Sequence, residues 1–163
     1  MGVIREEKPG ATLMVAYSYK GRFVAPIRVG LGLPVLHEHY ELGGYIPGQP
    51  VRPKRQTIRG VGKRRHARAA ETIQHYHGMR SPKCFKIGDA RCTGVSQIRL
   101  YIHSEWIEIK GGSELKRGRE LDAFARDDGF DDWAAMRAFW LEEHDGKHLG
   151  PFCGSLIKWE PIP

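Results

Sequence analysis

The chain has 163 residues, of which 40% are hydrophobic and 10% aromatic, enough to form one buried core of ordinary domain size. This composition excludes an intrinsically disordered chain, and no apolar run approaches the roughly 18–20 residues that a transmembrane helix requires. Residues 1–10 carry four charged side chains where a secretory signal peptide would be apolar. The three cysteines form no C-x-x-C pair, and their odd number argues against a disulfide framework. We therefore expect a single domain over residues 1–163, without a membrane partner, in the cytoplasm.

The formal net charge of +7 arises from one short segment. Residues 42–70 contain no Asp or Glu, whereas the rest of the chain holds eighteen Lys and Arg against nineteen acids. The eight cations of this segment are Arg52, Lys54, Arg55, Arg59, Lys63, Arg64, Arg65 and Arg68. A basic segment beside aromatic residues is typical of proteins that bind a polyanion such as RNA, and a solvated basic face is the alternative interpretation.

The first half of the chain has the pattern of strands separated by a long loop. Leu13–Tyr19 and Arg22–Val29 are predicted strands around the turn-like Lys20-Gly21, and Pro26 would place the second strand at a sheet edge. Residues 31–53 are rich in Gly and Pro and have no sustained period, which predicts a long loop insertion.

The second half changes from strand to helix patterns before a last strand. The predicted strands are Thr72–His77, then Lys83–Ile87 and Arg91–His103, which are separated by a break near Gly88-Asp89. Two further strands are predicted at Trp106–Ile109 and Ser155–Trp159. Two predicted helices lie between the last two strands: one contains Leu121, Phe124 and Ala125 and ends at Gly129, and the other follows a cap at Asp131 or Asp132 and buries Trp133, Met136 and Trp140. The fold class expected is α+β, a small β-barrel flanked by helices, with a C-terminal helix pair and a closing strand.

The segment Lys54–Arg59 has the strongest chemical signal. In an extended chain Arg55, Thr57 and Arg59 share a face, and the flexible Lys54 side chain can reach the same side. A lysine amine beside a threonine hydroxyl is a candidate activated nucleophile, because neighbouring cations favour loss of the ammonium proton. The alternative is that these cations only hold phosphates.

The residues that follow add candidates for nucleic-acid binding. His66 is a candidate acid, base or phosphate hydrogen-bond donor, and Tyr76 is a candidate stacking platform for an unpaired base, with core packing as the alternative. The expected nucleic-acid-binding residues are Arg55, Arg59, Lys63, Arg64, Arg65, Arg68, Tyr76, Arg80, Ser81 and Lys83.

No metal or cofactor is expected. The pairs His37/His39 and His75/His77 lack an evident third ligand, so hydrogen bonding accounts for them better than zinc. Asp127, Asp128, Asp131 and Asp132 bracket a helix boundary, where capping accounts for them. The cysteines are expected to be small buried residues.

An ordered set of motifs resembles the ASCH domains, relatives of the PUA-like RNA-binding barrels, and in particular those found in phages and prophages. The set comprises Lys-x-x-Thr-Ile-Arg at 54–59, Arg-His-Ala-Arg at 65–68, Tyr-His-Gly-Met-Arg at 76–80, Cys84–Val95 and the ending Phe152–Trp159. The resemblance implies a PUA-like barrel whose cleft receives RNA or a nucleotide, in a bacterial or phage-infected host cell.

The same resemblance implies a catalytic triad with one member missing. In the ASCH hydrolases of N4-acetylcytidine, matching Lys and Thr residues join a Glu on a later strand. Lys54 and Thr57 match the first two, and Gly94 stands where the acid is expected. Glu105 or Glu108 are possible substitutes, although neither matches by position.

Three functions remain open at this point. The first is an RNA- or nucleotide-binding module, with or without RNA-processing activity. The second is a metal-independent ribonuclease in which Lys54 or His66 is the base. The third is an amidohydrolase of the N4-acetylcytidine type, built on Lys54 and Thr57.

Overall fold

The computed structural model describes residues 14–144 and 150–163. The sequence of residues 1–10, which bears on a signal peptide, lies outside these ranges. The strands are β1 (Met14–Tyr19), β2 (Gln56–Gly60), β3 (Thr72–His77), β4 (Phe85–Tyr101), β5 (Trp106–Ile109), β6 (Glu114–Leu115) and β7 (Phe152–Pro161). The α-helices are α1 (Val24–Gly30), α2 (His37–Gly43), α3 (Gly118–Asp127) and α4 (Trp133–Glu143), and a 3-10 turn at Gly21–Phe23 leads into α1.

The α+β class is confirmed, and so are the predicted strands β1, β3, β5 and β7 and both C-terminal helices. Helix α3 buries Leu121, Phe124 and Ala125. The Asp132 carboxylate caps α4 by accepting a hydrogen bond from the backbone N–H of Ala135 at 2.8 Å. These elements have strong local signals, so the sequence alone was enough to locate them.

Two local predictions are wrong. Residues 22–29 are helical, because Pro26 stands in the first turn of α1, where its missing N–H costs no hydrogen bond, and Ile27 packs in the core. Strand β4 runs through Gly88-Asp89 without a break, because one extra residue at Ile87 is absorbed as a bulge opposite β3. Within residues 31–53, helix α2 interrupts the irregular chain.

The sheet follows the path β1-β3-β4-β7-β2, with β5 and β6 added beside the far end of β4. Strand β1 is parallel to β3, and the other pairs are antiparallel. The 17 residues of β4 pair with β3 and then β5 along one edge and with β7 along the other. This central strand holds together both halves of the sheet.

Strands β1 and β2, at the two ends of that path, approach each other without pairing. Over the described ranges, β1 pairs with β3 alone and β2 with β7 alone, so backbone hydrogen bonds do not close the sheet into the expected barrel. The Arg59 side chain spans the gap, donating from Nη2 to the Ser18 carbonyl at 2.8 Å. We call this gap the seam.

Helices α1, α3 and α4 share one hydrophobic cluster with the sheet. Trp133, Met136 and Trp140 of α4 are buried as predicted, in one hydrophobic cluster with Ile107 and Ile157 of the sheet. Of the helices in residues 14–144 and 150–163, none has the length and apolar character needed to cross a membrane.

Candidate active site

The seam contains a cleft of about 360 Å³ between β1 and β2, which do not pair with each other. We call it the seam cleft. Ser18 and Tyr19 of β1 form one side, and Thr57, Ile58 and Arg59 of β2 form the other. Its remaining lining residues are Lys20, Phe23, Lys54, Gly60, Asp128, Phe139, Trp140, Glu143, His144 and Phe152. The volume lies in the range of small-molecule sites.

Lys54 is fixed at the base of this cleft by its backbone. Its N–H donates to the Pro26 carbonyl at 2.9 Å, and the next N–H, of Arg55, donates to the Asp127 carbonyl at 2.8 Å. A Cβ on Gly30 would lie 2.3 Å from the Lys54 carbonyl oxygen, so only glycine allows α1 to approach this closely. The entry to β2 is thus held between α1 and the end of α3.

The Lys54 ammonium forms a buried ion pair with Asp128, the residue that follows α3. Nζ lies 2.7 Å from Oδ1 and 2.8 Å from the backbone carbonyl of Asp128, and the two side chains are 3% and 6% exposed. Gly129 has a φ of +91°, and a Cβ there would lie 3.1 Å from the Lys54 Cβ. A glycine after Asp128 therefore lets the chain turn beside Lys54.

Burial shifts the pKa of each partner so that its neutral form becomes easier to reach. Desolvation lowers the pKa of Lys54, against the opposing charge and hydrogen bond of Asp128. Desolvation likewise raises the pKa of Asp128, against the opposing effect of Lys54. A neutral amine at Lys54 is therefore easier to reach than at an exposed lysine, and a neutral amine is what a general base requires.

Thr57 and Tyr19 lie in the same cleft. Both side chains are buried and line the cleft, at 5% and 6% exposed. Burial raises the pKa of Tyr19, and the charge of Arg59 together with hydrogen bonding by Arg59 and Thr57 opposes that rise. The cleft thus brings Lys54, Asp128, Thr57 and Tyr19 together.

Aromatic rings and one ion pair shape the rest of the seam cleft. Phe23, Phe139, Trp140 and Phe152 line it, and the Lys54 Nζ lies 4.6 Å from the centroid of Phe23. At its rim Lys20, the residue after β1, forms an ion pair with Glu143 of α4. The cleft therefore has apolar faces suited to a flat ring, with charged groups at its base and mouth.

A second, wider cleft of about 730 Å³ adjoins the first, and we call it the basic cleft. Arg59 and Gly60 line both clefts. The predicted residues that line the basic cleft are Arg59, Lys63, Arg64, Arg65, His66 and Arg80. Both ring nitrogens of His66 have protein partners: Nδ1 lies 3.2 Å from the Tyr17 hydroxyl and Nε2 3.0 Å from the Gly60 carbonyl.

Five predicted binding residues line neither cleft: Arg55, Arg68, Tyr76, Ser81 and Lys83. Tyr76 points to the face of β3 opposite buried His75, and Lys86 lies over its ring. The predicted catalytic residues are divided, because Lys54 and Thr57 line the seam cleft whereas His66 lines the basic cleft. Two predicted residues thus share a site, and Arg59 connects it to the cations.

The acid beside Lys54 is Asp128, which the sequence analysis had assigned to helix capping. That assignment holds for Asp132 and is wrong for the Asp128 carboxylate, which binds Lys54. Glu105 accepts a hydrogen bond from Trp133 and Glu108 pairs with Arg99, and neither lines the seam cleft. The only sequence signal for Asp128 was the glycine after it, which marks a helix end and says nothing of Lys54.

The histidine pairs have protein contacts. His39 Nδ1 accepts a hydrogen bond from the Leu36 N–H, and His75 Nδ1 lies 2.9 Å from the Tyr19 hydroxyl. Among residues 14–144 and 150–163, no group of three or more His, Cys, Asp or Glu has a metal-binding arrangement. Cys92 is buried as predicted, whereas Cys84 and Cys153 are exposed.

Removing one charge of the buried pair should destabilise the protein far more than removing an exposed charge. Lys54→Met leaves the Asp128 carboxylate buried without its cation, and the free energy of unfolding should fall by about 3–5 kcal/mol. The matched control is Lys86→Met, which breaks the exposed pair with Asp89 and should cost less than about 1 kcal/mol. Urea unfolding measures both, and equal losses would contradict the importance of the buried pair.

Comparison of the chain with protein-family models, with curated proteins and with solved structures gives no match. The function is therefore inferred from the residues that line the two clefts.

Proposed function

We propose that the protein is an ASCH-type amidohydrolase that removes an acyl group from the exocyclic nitrogen of a modified nucleobase. The observation that supports this most is the presence of Lys54, Thr57 and Asp128 in one cleft. The resemblance to the ASCH hydrolases requires a lysine, a threonine and an acid. In this proposal Asp128, at the end of α3, takes the place of the acid missing at Gly94.

The reaction follows from the chemistry of these three groups. The neutral Lys54 amine accepts the Thr57 hydroxyl proton as Oγ1 forms a bond to the acyl carbon. The carbon–nitrogen bond then breaks, and the proton passes from Lys54 to the departing amine nitrogen. Water hydrolyses the threonine ester, which releases the carboxylic acid and restores the hydroxyl. Asp128 holds Lys54 in place and stabilises the ammonium that forms between these steps.

The lining of the seam cleft suits a nucleobase. A planar ring can stack against aromatic side chains such as Phe139 and Trp140, while the acyl group reaches Thr57. The volume of about 360 Å³ accommodates a nucleoside-sized ligand. We further propose that the curled sheet is a PUA-like barrel left open at the seam.

A ribonuclease that uses Lys54 and His66 together has less support. The two side chains line different clefts, so they do not face one scissile bond. The ring nitrogens of His66 are also occupied by Tyr17 and Gly60. A base and an acid for one phosphodiester must both reach it.

Replacing the nucleophile should abolish hydrolysis without changing the fold. Thr57→Val keeps the branched shape and loses the hydroxyl, so release of acetate from N4-acetylcytidine should fall by at least about 100-fold. Thr57→Ser restores a hydroxyl at the same position and should recover activity. Chromatographic separation of cytidine from N4-acetylcytidine measures both variants. Equal turnover by Thr57→Val and the unmodified protein would rule out this nucleophile.

The pH dependence should identify Lys54 as the base. Because the amine must be neutral, kcat/KM should rise with pH until the pKa of Lys54 is passed. The charge and hydrogen bond of Asp128 raise the pKa of Lys54, so Asp128→Asn should move this rise to lower pH. The control is Asp127→Asn, which changes the neighbouring exposed carboxylate and should leave the profile in place. A rise that stays in place or moves to higher pH in Asp128→Asn contradicts the assignment.

A second candidate function, RNA binding, is favoured by the basic cleft. Lys63, Arg64, Arg65 and Arg80 line this cleft beside the seam cleft. Glu71 pairs with Arg65 at 2.8 Å and neutralises part of this charge. If a modified base of a single-stranded RNA occupied the seam cleft, the rest of the RNA could continue along these cations.

Binding of single-stranded RNA should depend steeply on salt and on these cations. Simultaneous replacement of Lys63, Arg64 and Arg65 by Ala should reduce the slope of log K against log salt by about 2, because each phosphate left without its cation lowers that slope by roughly 0.7. Fluorescence anisotropy with labelled oligouridine measures the slope. The matched control replaces three lysines that line neither cleft: Lys110, Lys116 and Lys158. Equal slopes for the two triple variants would place RNA elsewhere or exclude it.

A further inference from the structure

Tyr19 lines the seam cleft together with the proposed nucleophile Thr57, and the sequence analysis did not single it out. Its hydroxyl lies 2.9 Å from His75 Nδ1, and hydrogen bonding by Arg59 and Thr57 opposes the rise in the pKa of Tyr19 that burial causes. The Arg59 guanidinium also stacks over the Tyr19 ring, 4.6 Å from its centroid. A hydroxyl has one proton to donate, so its partners decide where that proton points.

His75 is the partner whose protonation can be worked out. The side chain is fully buried, and desolvation, with the nearby charges of Lys54 and Arg59, lowers the pKa of His75 to about 3. Near pH 7 the ring is therefore neutral and carries one proton, on Nδ1 or on Nε2.

The contact with Trp159 favours the proton on Nδ1. The two ring centroids are 4.4 Å apart, and within the described residues His75 Nε2 and Trp159 Nε1 both lack a hydrogen-bond partner. The indole nitrogen can only donate. A proton on Nε2 would bury a second unpaired donor beside it, whereas a proton on Nδ1 leaves Nε2 an acceptor. An unpaired buried donor is rarer in proteins than an under-satisfied acceptor.

The orientation of the Tyr19 proton follows from this tautomer. If His75 Nδ1–H donates to the Tyr19 oxygen, the tyrosine proton is not used on the histidine. Arg59 can only donate, so it does not accept that proton either. The remaining direction is toward the Thr57 side of the cleft.

We propose that Tyr19 donates a hydrogen bond to the acyl oxygen of the substrate as that oxygen becomes negative, and that His75 is the positioning residue that directs this proton. The inference rests on the proposed amide hydrolysis, since the acyl carbon attacked by Thr57 carries this oxygen. Tyr19 keeps its proton throughout and stabilises the oxyanion by hydrogen bonding alone. Burial raises the pKa of Tyr19, so the hydroxyl stays protonated at any pH at which the protein is assayed.

Kinetic analysis of Tyr19→Phe with N4-acetylcytidine tests the catalytic role. Loss of one oxyanion donor should lower kcat by about 100- to 1,000-fold and change KM by less than about threefold, because the bond forms mainly in the transition state. The control is Tyr101→Phe, on β4 and stacked on Trp106 in neither cleft, which should leave kcat unchanged.

Two substitutions of His75 test the positioning role. The amide of His75→Asn can place an N–H near the position of Nδ1 and should keep kcat within about tenfold of the unmodified protein. His75→Leu removes the donor and should lower kcat by about 100-fold through misplacement of the Tyr19 hydroxyl. Equal kcat values for the two variants would remove His75 from the mechanism.

Nitrogen-15 NMR of the unmodified protein tests the tautomer without reference to activity. The expected result is a protonated Nδ1 and an unprotonated Nε2 on His75, and the opposite tautomer overturns the inference. Full kcat in Tyr19→Phe also overturns it, while the proposed hydrolysis would stand. Absence of turnover by the unmodified protein would instead overturn the proposed function together with this inference.

Discussion

The ion pair between Lys54 and Asp128 is the interaction on which the site depends, because each charge is tolerable only beside the other. Taking a lone ammonium or carboxylate out of water costs several kcal/mol, so the fold must bring α1, the entry to β2 and the end of α3 to one point. Glycines at positions 30 and 129 allow this approach where any side chain would collide or strain the backbone. The same burial that makes the pair structurally demanding also brings the Lys54 amine nearer to its neutral, reactive form. The stability of the fold and the proposed chemistry therefore depend on the same contact.

Sequence reasoning located the elements whose signals are local. Helices α3 and α4 have apolar residues at helical spacing with a glycine after one and an aspartate before the other, and β3 has the composition of a strand. Helix α1 was missed because its Val, Ile and Pro content is typical of an edge strand, and burial against the sheet overrides that preference. Lys54 and Thr57 were found as a pair because they are three residues apart in one strand entry. Asp128 was not found, because it lies 74 positions from Lys54 and no local sequence pattern shows which helix end packs beside that lysine.

Arg59 lies between the two clefts, so the basic segment contributes residues to both of them. Its side chain crosses from β2 to β1, with its guanidinium over the rings of Tyr17 and Tyr19. On one side lie the buried groups proposed for chemistry, and on the other lie exposed cations suited to phosphate. The excess positive charge that the sequence concentrates in residues 42–70 is thus shared between two environments of very different dielectric. Only the exposed part of it is screened by salt.

The edges of β1 and β2 that face the seam do not pair with each other, so a ligand bound there could contact their backbone groups. Each edge strand directs amide and carbonyl groups away from its single partner and toward the seam, where Arg59 already contacts the Ser18 carbonyl and His66 the Gly60 carbonyl. A planar heterocycle in the seam would meet main-chain donors and acceptors, which are the same whatever residue is encoded there. Point substitutions can alter the aromatic walls, yet they leave this backbone pattern untouched unless proline is introduced. Ligand discrimination of that kind would depend on the strand topology rather than on the identity of the side chains.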